Sequence, residues 1–207
     1  MSIEQISMLT TIAVALITAV FGPIAMAWAK RQFGKPDASN IITESLILNS
    51  LVDDQLEAMM VELQADRIWV SQFHNGGHFY PTGKSIQKFS IFYEKTTPGT
   101  QHSQHTFQNI PCSLFAKSLA ELNEEGEISV PNFRDHNSYD LQSVAEQHGT
   151  SSFYLISLED LKGKFIGCLA ISYTEEYKLS KEDWIFIRQK AGVIGTLLDE
   201  YLNSNQK

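Results

Sequence analysis

Two apolar, strand-forming runs joined by a short turn occupy residues 151–173, and they limit the possible folds more than any other segment. The runs, 152–158 and 164–173, are crowded with Phe, Tyr, Ile and Leu, and Asp160 and Gly163 lie between them. Such runs on either side of turn-forming residues predict a β-hairpin. The second run is apolar on both faces, and a strand of that kind is covered on both faces. We therefore expect the hairpin in the middle of a sheet that lies between two helical layers.

Charge and cysteine content narrow the classes of function. The chain has 207 residues and a net charge of −8. Residues 1–37 contribute +1, from three basic residues against two acidic ones, which leaves −9 on the remainder. An acidic domain without a basic stripe is a poor candidate for nucleic acid. Cys112 and Cys168 suggest neither a disulfide framework nor a metal site, so a reducing compartment fits best.

A long uncharged segment lies near the amino terminus. Residues 6–29 contain no charged side chain, and as a helix they span about 36 Å, enough to cross a hydrocarbon core of roughly 30 Å. Lys30 and Arg31 follow at once, and positive charge on that side predicts an amino terminus outside and a domain inside. We therefore predict a single-pass anchor in residues 1–35 of the inner or plasma membrane, and a cytoplasmic domain in residues 36–207.

A cleaved signal peptide is the alternative interpretation of the same segment. Ala25 and Ala27 flank Met26 as in a small-residue cleavage site. The first five residues contain no Lys or Arg, however, and the apolar stretch is longer than the hydrophobic region of most signal peptides. These two features favour the anchor.

The remaining segments predict a regular order of helices and strands. A helix opens the series, because apolar residues recur three, four and seven positions apart from Ile41 to Leu63, which defines one amphipathic face. A capping box beginning at Ser180 opens the last helix. Between them, sequence patterns predict strands at 67–73, 89–94 and 127–130, helices at 110–123 and 140–147, and the hairpin.

This order resembles that of GAF domains, a sensory fold related to PAS. Residues 127–135 and 151–172, with a short helix between them, look like the second half of many GAF domains, and residues 191–198 are similar to the family's last helix. The resemblance covers residues 41–203. It implies an α+β fold, in which a GAF/PAS-like antiparallel sheet is covered by helices on both faces. It also implies a small-molecule pocket between the sheet and the helices after its second strand.

The resemblance gives no ligand, and the cofactor stays unknown. The asparagine-lysine, phenylalanine and aspartate-glutamate pattern of cyclic-nucleotide GAF domains is missing, and residues 132–135 are only superficially close to it. A bilin-attaching cysteine normally precedes a histidine, whereas Cys112 precedes Ser113. GAF-type free methionine sulfoxide reductases use cysteines in pocket loops, whereas the two cysteines here fall in a predicted helix and a predicted strand. We therefore expect no catalytic constellation.

The candidate ligand-binding residues lie where three segments of such a fold would meet. The glycine-dense segment 74–83 follows a predicted strand, and glycine lets the backbone approach a ligand closely. Polar residues share one face of the next strand, and residues 132–135 form a loop that often covers GAF ligands. Gly167 marks a further close approach by another element or a ligand. The candidates are His74, Asn75, Gly76, Tyr80, Ser90, Phe92, Glu94, Arg134, Asp135 and Tyr154.

Each candidate has a structural alternative. The segment 74–83 is equally well explained as a tight turn with surface histidines. His74 and His78 would bind a metal together only on a helix, and the two glycines between them argue against one. Glu94 is alternatively a solvated carboxylate, and Arg134 with Asp135 an exposed ion pair.

The sequence thus predicts a membrane-anchored cytoplasmic sensory module that binds an unknown small molecule and signals through dimerisation or partner recruitment. The dimer is expected through the first and last helices, where a heptad runs from Trp184 to Tyr201; plain core packing is the alternative. A ligand-free interaction scaffold at the membrane is the second hypothesis, and a reductase the third. A polar, hollow cleft would favour the sensor, a cleft packed with aromatic rings the scaffold, and an exposed Cys112 the reductase.

Overall fold

The structure, a computed structural model, describes residues 38–135 and 139–204; the predicted anchor therefore lies outside the described residues. Side chains are described for residues 42–135, 140–201. Residues 44–204 form one compact unit, and residues 38–43 belong to a second. Within the described ranges, no helix is long and apolar enough to span a membrane.

The main helices and strands follow one another in the order that the sequence predicts, and a short strand, Ile110–Pro111, is added to them. Two short 3₁₀ turns, Cys112–Phe115 and Phe133–Asp135, precede the second and third helices. The elements are α1 (Ala38–Leu63), β1 (Arg67–His78), β2 (Ser85–Thr96), β3 (Ile110–Pro111), α2 (Ala116–Glu125), β4 (Glu127–Val130), α3 (Tyr139–Gln147), β5 (Ser152–Glu159), β6 (Phe165–Tyr173) and α4 (Lys181–Ser204).

The six strands form one antiparallel sheet in the order β3-β2-β1-β6-β5-β4. Strands β5 and β6 are the predicted hairpin, and each has a neighbour on both sides, so its central position is confirmed. Gly167 of β6 shows why a glycine is needed there: a Cβ atom would lie 2.1 Å from the carbonyl oxygen of Ser71 in β1. The close approach predicted at this glycine is that of a neighbouring strand.

The two faces of the sheet carry separate cores. Against one face pack α1 and α4, whose buried positions include Leu56 and Ile194, together with Val70 and Leu169 from the strands. Against the other face pack α2 and α3 with Leu122 and other residues. The predicted arrangement of helices on both faces of an antiparallel sheet is therefore confirmed.

The heptad of α4 serves the fold of the single chain. Ile187, Ile194 and Leu198 are at most 1% exposed because they pack on the sheet beside α1. The predicted dimer seam through these residues is wrong, since one chain already covers them. Plain core packing, the alternative, explains the heptad.

Two local predictions also need correction. Half of the segment 74–83 is strand, because β1 continues to His78 and the connection to β2 begins only at Phe79. Residues 110–123 do not form one helix: Pro111 is extended, with φ −62° and ψ 128°, and pairs with Lys88 of β2. The helix that follows ends at Glu125, and the capping residue Gly126 has a left-handed φ of 80°.

Candidate functional site

A cavity of about 60 Å³ lies between the sheet and the helices α2 and α3. Its walls are mainly apolar, and six aromatic residues contribute to them: Trp69, Phe89, Phe107, Phe115, Phe133 and Phe153. The polar residues of the lining are Arg67, Ser71, Ser103, Ser118, His148 and Thr150. The position is the one that the resemblance implies for a pocket, and the composition is that of an apolar site with a few polar groups.

Strand alternation explains how β1 contributes to the cavity. Arg67, Trp69 and Ser71 point to the cavity side, whereas Ile68 and Val70 between them belong to the core under α1 and α4. Successive side chains of a strand point to opposite faces. A charged, an aromatic and a hydroxyl side chain therefore lie in one row along the cavity floor.

Arg67 forms the polar end of the cavity. Its side chain is buried, and it donates from Nε to the carbonyl oxygen of Gln101 (2.9 Å) and from Nη2 to that of His148 (3.2 Å). Nη1 donates to the hydroxyls of Thr150 (3.2 Å) and Ser172 (3.4 Å). Burial lowers the pKa of Arg67, while the charge of Glu94 raises it. The guanidinium thus joins the segment before β3, the end of α3 and strand β6.

Glu94 holds the segment that covers this end of the cavity. Its side chain is fully buried, and one oxygen lies 3.8 Å from Nε of Arg67. The carboxylate accepts hydrogen bonds from the backbone amides of Ser103 (2.7 Å) and Gln104 (3.1 Å), and from Nδ1 of His102 (3.1 Å). We call residues 97–108 the covering segment, because Ser103 and Phe107 from it line the cavity. Glu94 is therefore not the solvated carboxylate considered above.

His148 places an unsatisfied polar atom at the site. The residue lines the cavity and is 4% exposed. Its Nδ1 lies 3.3 Å from Oγ of Ser103, and its ring packs 5.4 Å from that of Phe107. Its Nε2 is the one buried side-chain nitrogen or oxygen of the described residues that has no hydrogen-bond partner. Burial, and then the charge of Arg67, lower the pKa of His148, so the imidazole is neutral at pH 7.

None of the predicted ligand-binding residues lines this cavity. His74 and Ser90 do meet, with Nε2 of His74 2.9 Å from Oγ of Ser90, but strand alternation places them on the opposite sheet face from Phe73 and Phe89. Asn75 and Gly76 lie in the extension of β1, and Tyr80 is 98% exposed in the connection between β1 and β2. This connection and the strand end before it lie at the surface.

A β-bulge explains why the face assignment on β2 is wrong. Val70 pairs with Tyr93 but Ser71 pairs with Ile91, so Phe92 is an extra residue in β2. The bulge reverses the alternation, and Ser90, Phe92 and Glu94 do not share a face. Phe92 is 46% exposed.

The other three candidates also lie away from the cavity. Tyr154 is 1% exposed in the core under α1 and α4, where its ring contacts Trp184 and its hydroxyl donates to the carbonyl oxygen of Tyr177. Arg134 and Asp135 are exposed in the 3₁₀ turn after β4. Their neighbour Phe133 points inward to the cavity instead.

Sequence reasoning missed Arg67 and His148. The available signal for Arg67 is that Arg67, Trp69 and Ser71 alternate with the aliphatic residues Ile68 and Val70 at the start of the strand. His148 carries only a weak signal, a polar residue between the end of α3 and Gly149. Its role depends on tertiary packing against Ser103 and Phe107.

Burial shifts the pKa of both cysteines upward. Burial raises the pKa of Cys168, which lines the cavity, to about 12. Burial also raises the pKa of Cys112, which is half-buried. A nucleophilic cysteine uses a lowered pKa. Among the residues that the structure describes, no group of three or more His, Cys, Asp or Glu could hold a metal ion.

Comparison with known proteins identifies the fold. No protein-family model and no curated protein matches the chain. The phycocyanobilin-bound GAF domain of a cyanobacterial phytochrome is similar in structure, with a TM-score of 0.63 and 13% identity over 82% of this chain and 93% of that one. The chain folds as a GAF-like domain.

Two further solved structures agree with this GAF-like fold. The blue-light absorbing form of the PixJ GAF domain of Thermosynechococcus elongatus has a TM-score of 0.62 and 12% identity, covering 79% of this chain and 92% of that one. A GAF domain from Synechocystis sp. PCC6803, in its photoproduct state, has a TM-score of 0.60 and 11% identity, covering 77% of this chain and 98% of that one. At this identity the likeness concerns the fold alone.

Proposed function

We propose that this protein is a membrane-anchored sensory module whose GAF-like domain binds a small molecule in the cavity between the sheet and α2–α3. The observation that carries the proposal is that His148, which lines an apolar cavity, has an Nε2 atom without a hydrogen-bond partner. Buried polar atoms are nearly always hydrogen-bonded, and a bound molecule would supply the partner. The similarity to a phycocyanobilin-bound GAF domain supports small-molecule binding by a domain of this fold.

A ligand-free interaction scaffold is the second candidate. It is favoured by the small volume of the cavity, about 60 Å³, and by the six aromatic residues around it. Pockets for drug-sized ligands typically measure about 300–1,000 Å³. Under this hypothesis the aromatic rings belong to the core, and His148 meets nothing larger than water.

Native mass spectrometry separates the two candidates. The full chain, purified without denaturation, is compared with His148→Leu, which removes both ring nitrogens. His105→Leu is the matched control, because His105 is an exposed histidine of the covering segment. We expect a co-purified small molecule on the wild type and on His105→Leu, at reduced occupancy on His148→Leu. Equal occupancy in all three, or none in any of them, contradicts the proposed site.

The proposed location is the inner or plasma membrane, with the amino terminus outside and the GAF-like domain in the cytoplasm. The support is the uncharged segment 6–29 followed by Lys30 and Arg31. A carboxy-terminal tag should resist protease added to intact spheroplasts and become sensitive after lysis. Digestion in intact spheroplasts, or a mature protein that begins near Trp28, contradicts this topology.

Signal output would pass through partner recruitment or through dimerisation on surfaces other than the buried heptad. The outward sides of α1 and α4 expose Ile47, Leu51, Ile185 and Val193 by 41–65%. The proposed role is binding rather than catalysis, which the raised pKa values of the two thiols support.

A further inference from the structure

We infer that the ligand of this cavity is a small, uncharged and mainly apolar molecule with a hydroxyl group that hydrogen-bonds to Nε2 of His148. The inference rests on the proposed function and specifies its ligand class. It follows from three properties of the cavity: its volume, the balance of charge at its polar end and the hydrogen-bonding state of His148.

The volume limits the size of the ligand. The cavity, at about 60 Å³, is far smaller than the roughly 300–1,000 Å³ of pockets for drug-sized ligands, so it admits only a small molecule. A compact alcohol, or at most a single aromatic ring such as that of phenol, is the size class that we propose. The walls suit an apolar body, because six aromatic residues face it.

The charges at the polar end are already balanced. Arg67 is the one charged side chain among the described residues that line the cavity, and Glu94 lies 3.8 Å from its Nε. Of the five N–H donors of a guanidinium, four donate here to Gln101, Thr150, Ser172 and His148. An anion would find little free donor capacity, and a cation would face the positive charge of Arg67. Burial of either ion is costly without a partner, so an uncharged ligand is favoured.

A hydroxyl group satisfies His148 in both of its neutral forms. If Nδ1 carries the proton and donates to Oγ of Ser103, Nε2 is an acceptor; if Oγ donates to Nδ1, Nε2–H is a donor. A ligand hydroxyl can accept or donate, whereas a carbonyl can only accept. A small alcohol or a phenol therefore matches the site in either tautomer.

Binding of four matched probes to the full chain tests the inference. Phenol carries the hydroxyl, toluene lacks it, benzoate is anionic and benzylamine is cationic. The readouts are the histidine ring signals in nuclear magnetic resonance spectra and the midpoint of thermal unfolding, both at millimolar probe concentrations. The chain has six histidines, and the signals lost in His148→Leu identify that residue.

We expect phenol to shift the His148 signals and to bind more tightly than the other three probes. His148→Leu should weaken phenol about two- to tenfold, the range for one neutral hydrogen bond, and leave toluene unchanged. His105→Leu should leave both unchanged. Tighter binding of benzoate or benzylamine, or equal binding of phenol and toluene, overturns the hydroxyl class while the proposed sensory function stands.

Failure of all four probes to bind also overturns the inference. The proposed function is judged separately, by the co-purified molecule in native mass spectrometry. A co-purified molecule that requires His148 but carries a charge and no hydroxyl confirms the sensor and refutes the ligand class. The two failures are therefore distinguishable.

Discussion

Removal of the Glu94 carboxylate tests whether the polar end of the cavity holds the domain together. In Glu94→Ala the buried guanidinium of Arg67 loses its counter-ion, because the two side chains are 3% and 0% exposed and 3.8 Å apart. The amides of Ser103 and Gln104 lose their acceptor as well. Breaking a buried pair by removing one partner typically costs about 3–5 kcal/mol. The amides add less than their full value, since the covering segment can open to water.

We therefore expect the free energy of unfolding to fall by about 3–5 kcal/mol. For a domain of this size each kcal/mol corresponds to roughly 2–4 °C, so the unfolding midpoint should fall by about 6–20 °C. Glu94→Gln should be intermediate, because its amide oxygen can still accept one backbone hydrogen bond. The measurement is thermal unfolding of the full chain by circular dichroism, with hydrogen exchange of residues 97–108 as a local probe.

The matched control is Glu57→Ala. Glu57 also faces a cation, Lys95, at 3.7 Å, but its side chain is 71% exposed. An exposed pair contributes at most about 1 kcal/mol, so the midpoint should change by no more than about 4 °C. If Glu94→Ala and Glu57→Ala have the same midpoint and the covering segment exchanges as in the wild type, then Glu94 does not organise this region.

Three further tests concern His148, two glycines and the two sides of α4. Because the pKa of His148 is lowered in the folded chain, the unfolded chain binds a proton at this residue more readily than the folded chain does. The free energy of unfolding should therefore fall as pH drops below about 6.5. His148→Leu should flatten this part of the dependence of stability on pH. Gly167→Ala should lower the free energy of unfolding by about 3 kcal/mol, because its Cβ would meet a carbonyl oxygen of β1. Gly192→Ala, in open space on α4, should raise it by about 0.5–1 kcal/mol. Chemical unfolding measures both changes. Leu198→Glu should unfold the domain, since it buries an unpaired charge. Ile185→Glu changes an exposed position and should affect only self-association, measured by light scattering. A dimeric wild type together with a folded, monomeric Leu198→Glu variant would instead support the dimer seam through α4.

Much of the fold could be predicted from the sequence, because its signals are local or periodic. A strand with apolar residues on both faces belongs in the middle of a covered sheet, and β6 lies there. The capping box at Ser180 forms as expected. The backbone amide of Ser180 donates to the carboxylate of Asp183 (2.8 Å), and the backbone amide of Asp183 donates to the hydroxyl of Ser180 (3.0 Å). Heptad spacing in α4 was less informative, since a helix packed on a sheet and a helix in a dimer bury the same positions.

The site could not be predicted in the same way, because it depends on pairing between distant segments. One extra residue at Phe92 reverses the faces of β2, and no pattern within 89–94 reveals it. Tyr154 and Phe153 are adjacent aromatic residues, and only the sheet decides that Phe153 faces the cavity. His148 becomes a candidate binding residue only in the folded chain, where the covering segment places Ser103 next to Nδ1 and leaves Nε2 without a hydrogen-bond partner.

Ser103 connects the interior of the domain with its surface. Its amide donates to Glu94 at 2.7 Å, and its hydroxyl lies 3.3 Å from Nδ1 of His148. The neighbours Gln101, His102 and His105 are exposed, and exposed segments of this kind commonly carry contacts with partners. Under the proposed function, a ligand hydroxyl at Nε2 would be linked to the covering segment through the imidazole of His148 and the hydroxyl of Ser103. The neutral bond between Ser103 and His148 contributes only about 0.5–1.5 kcal/mol, so the binding energy of a small ligand would suffice, under this proposal, to change how firmly His148 holds the covering segment.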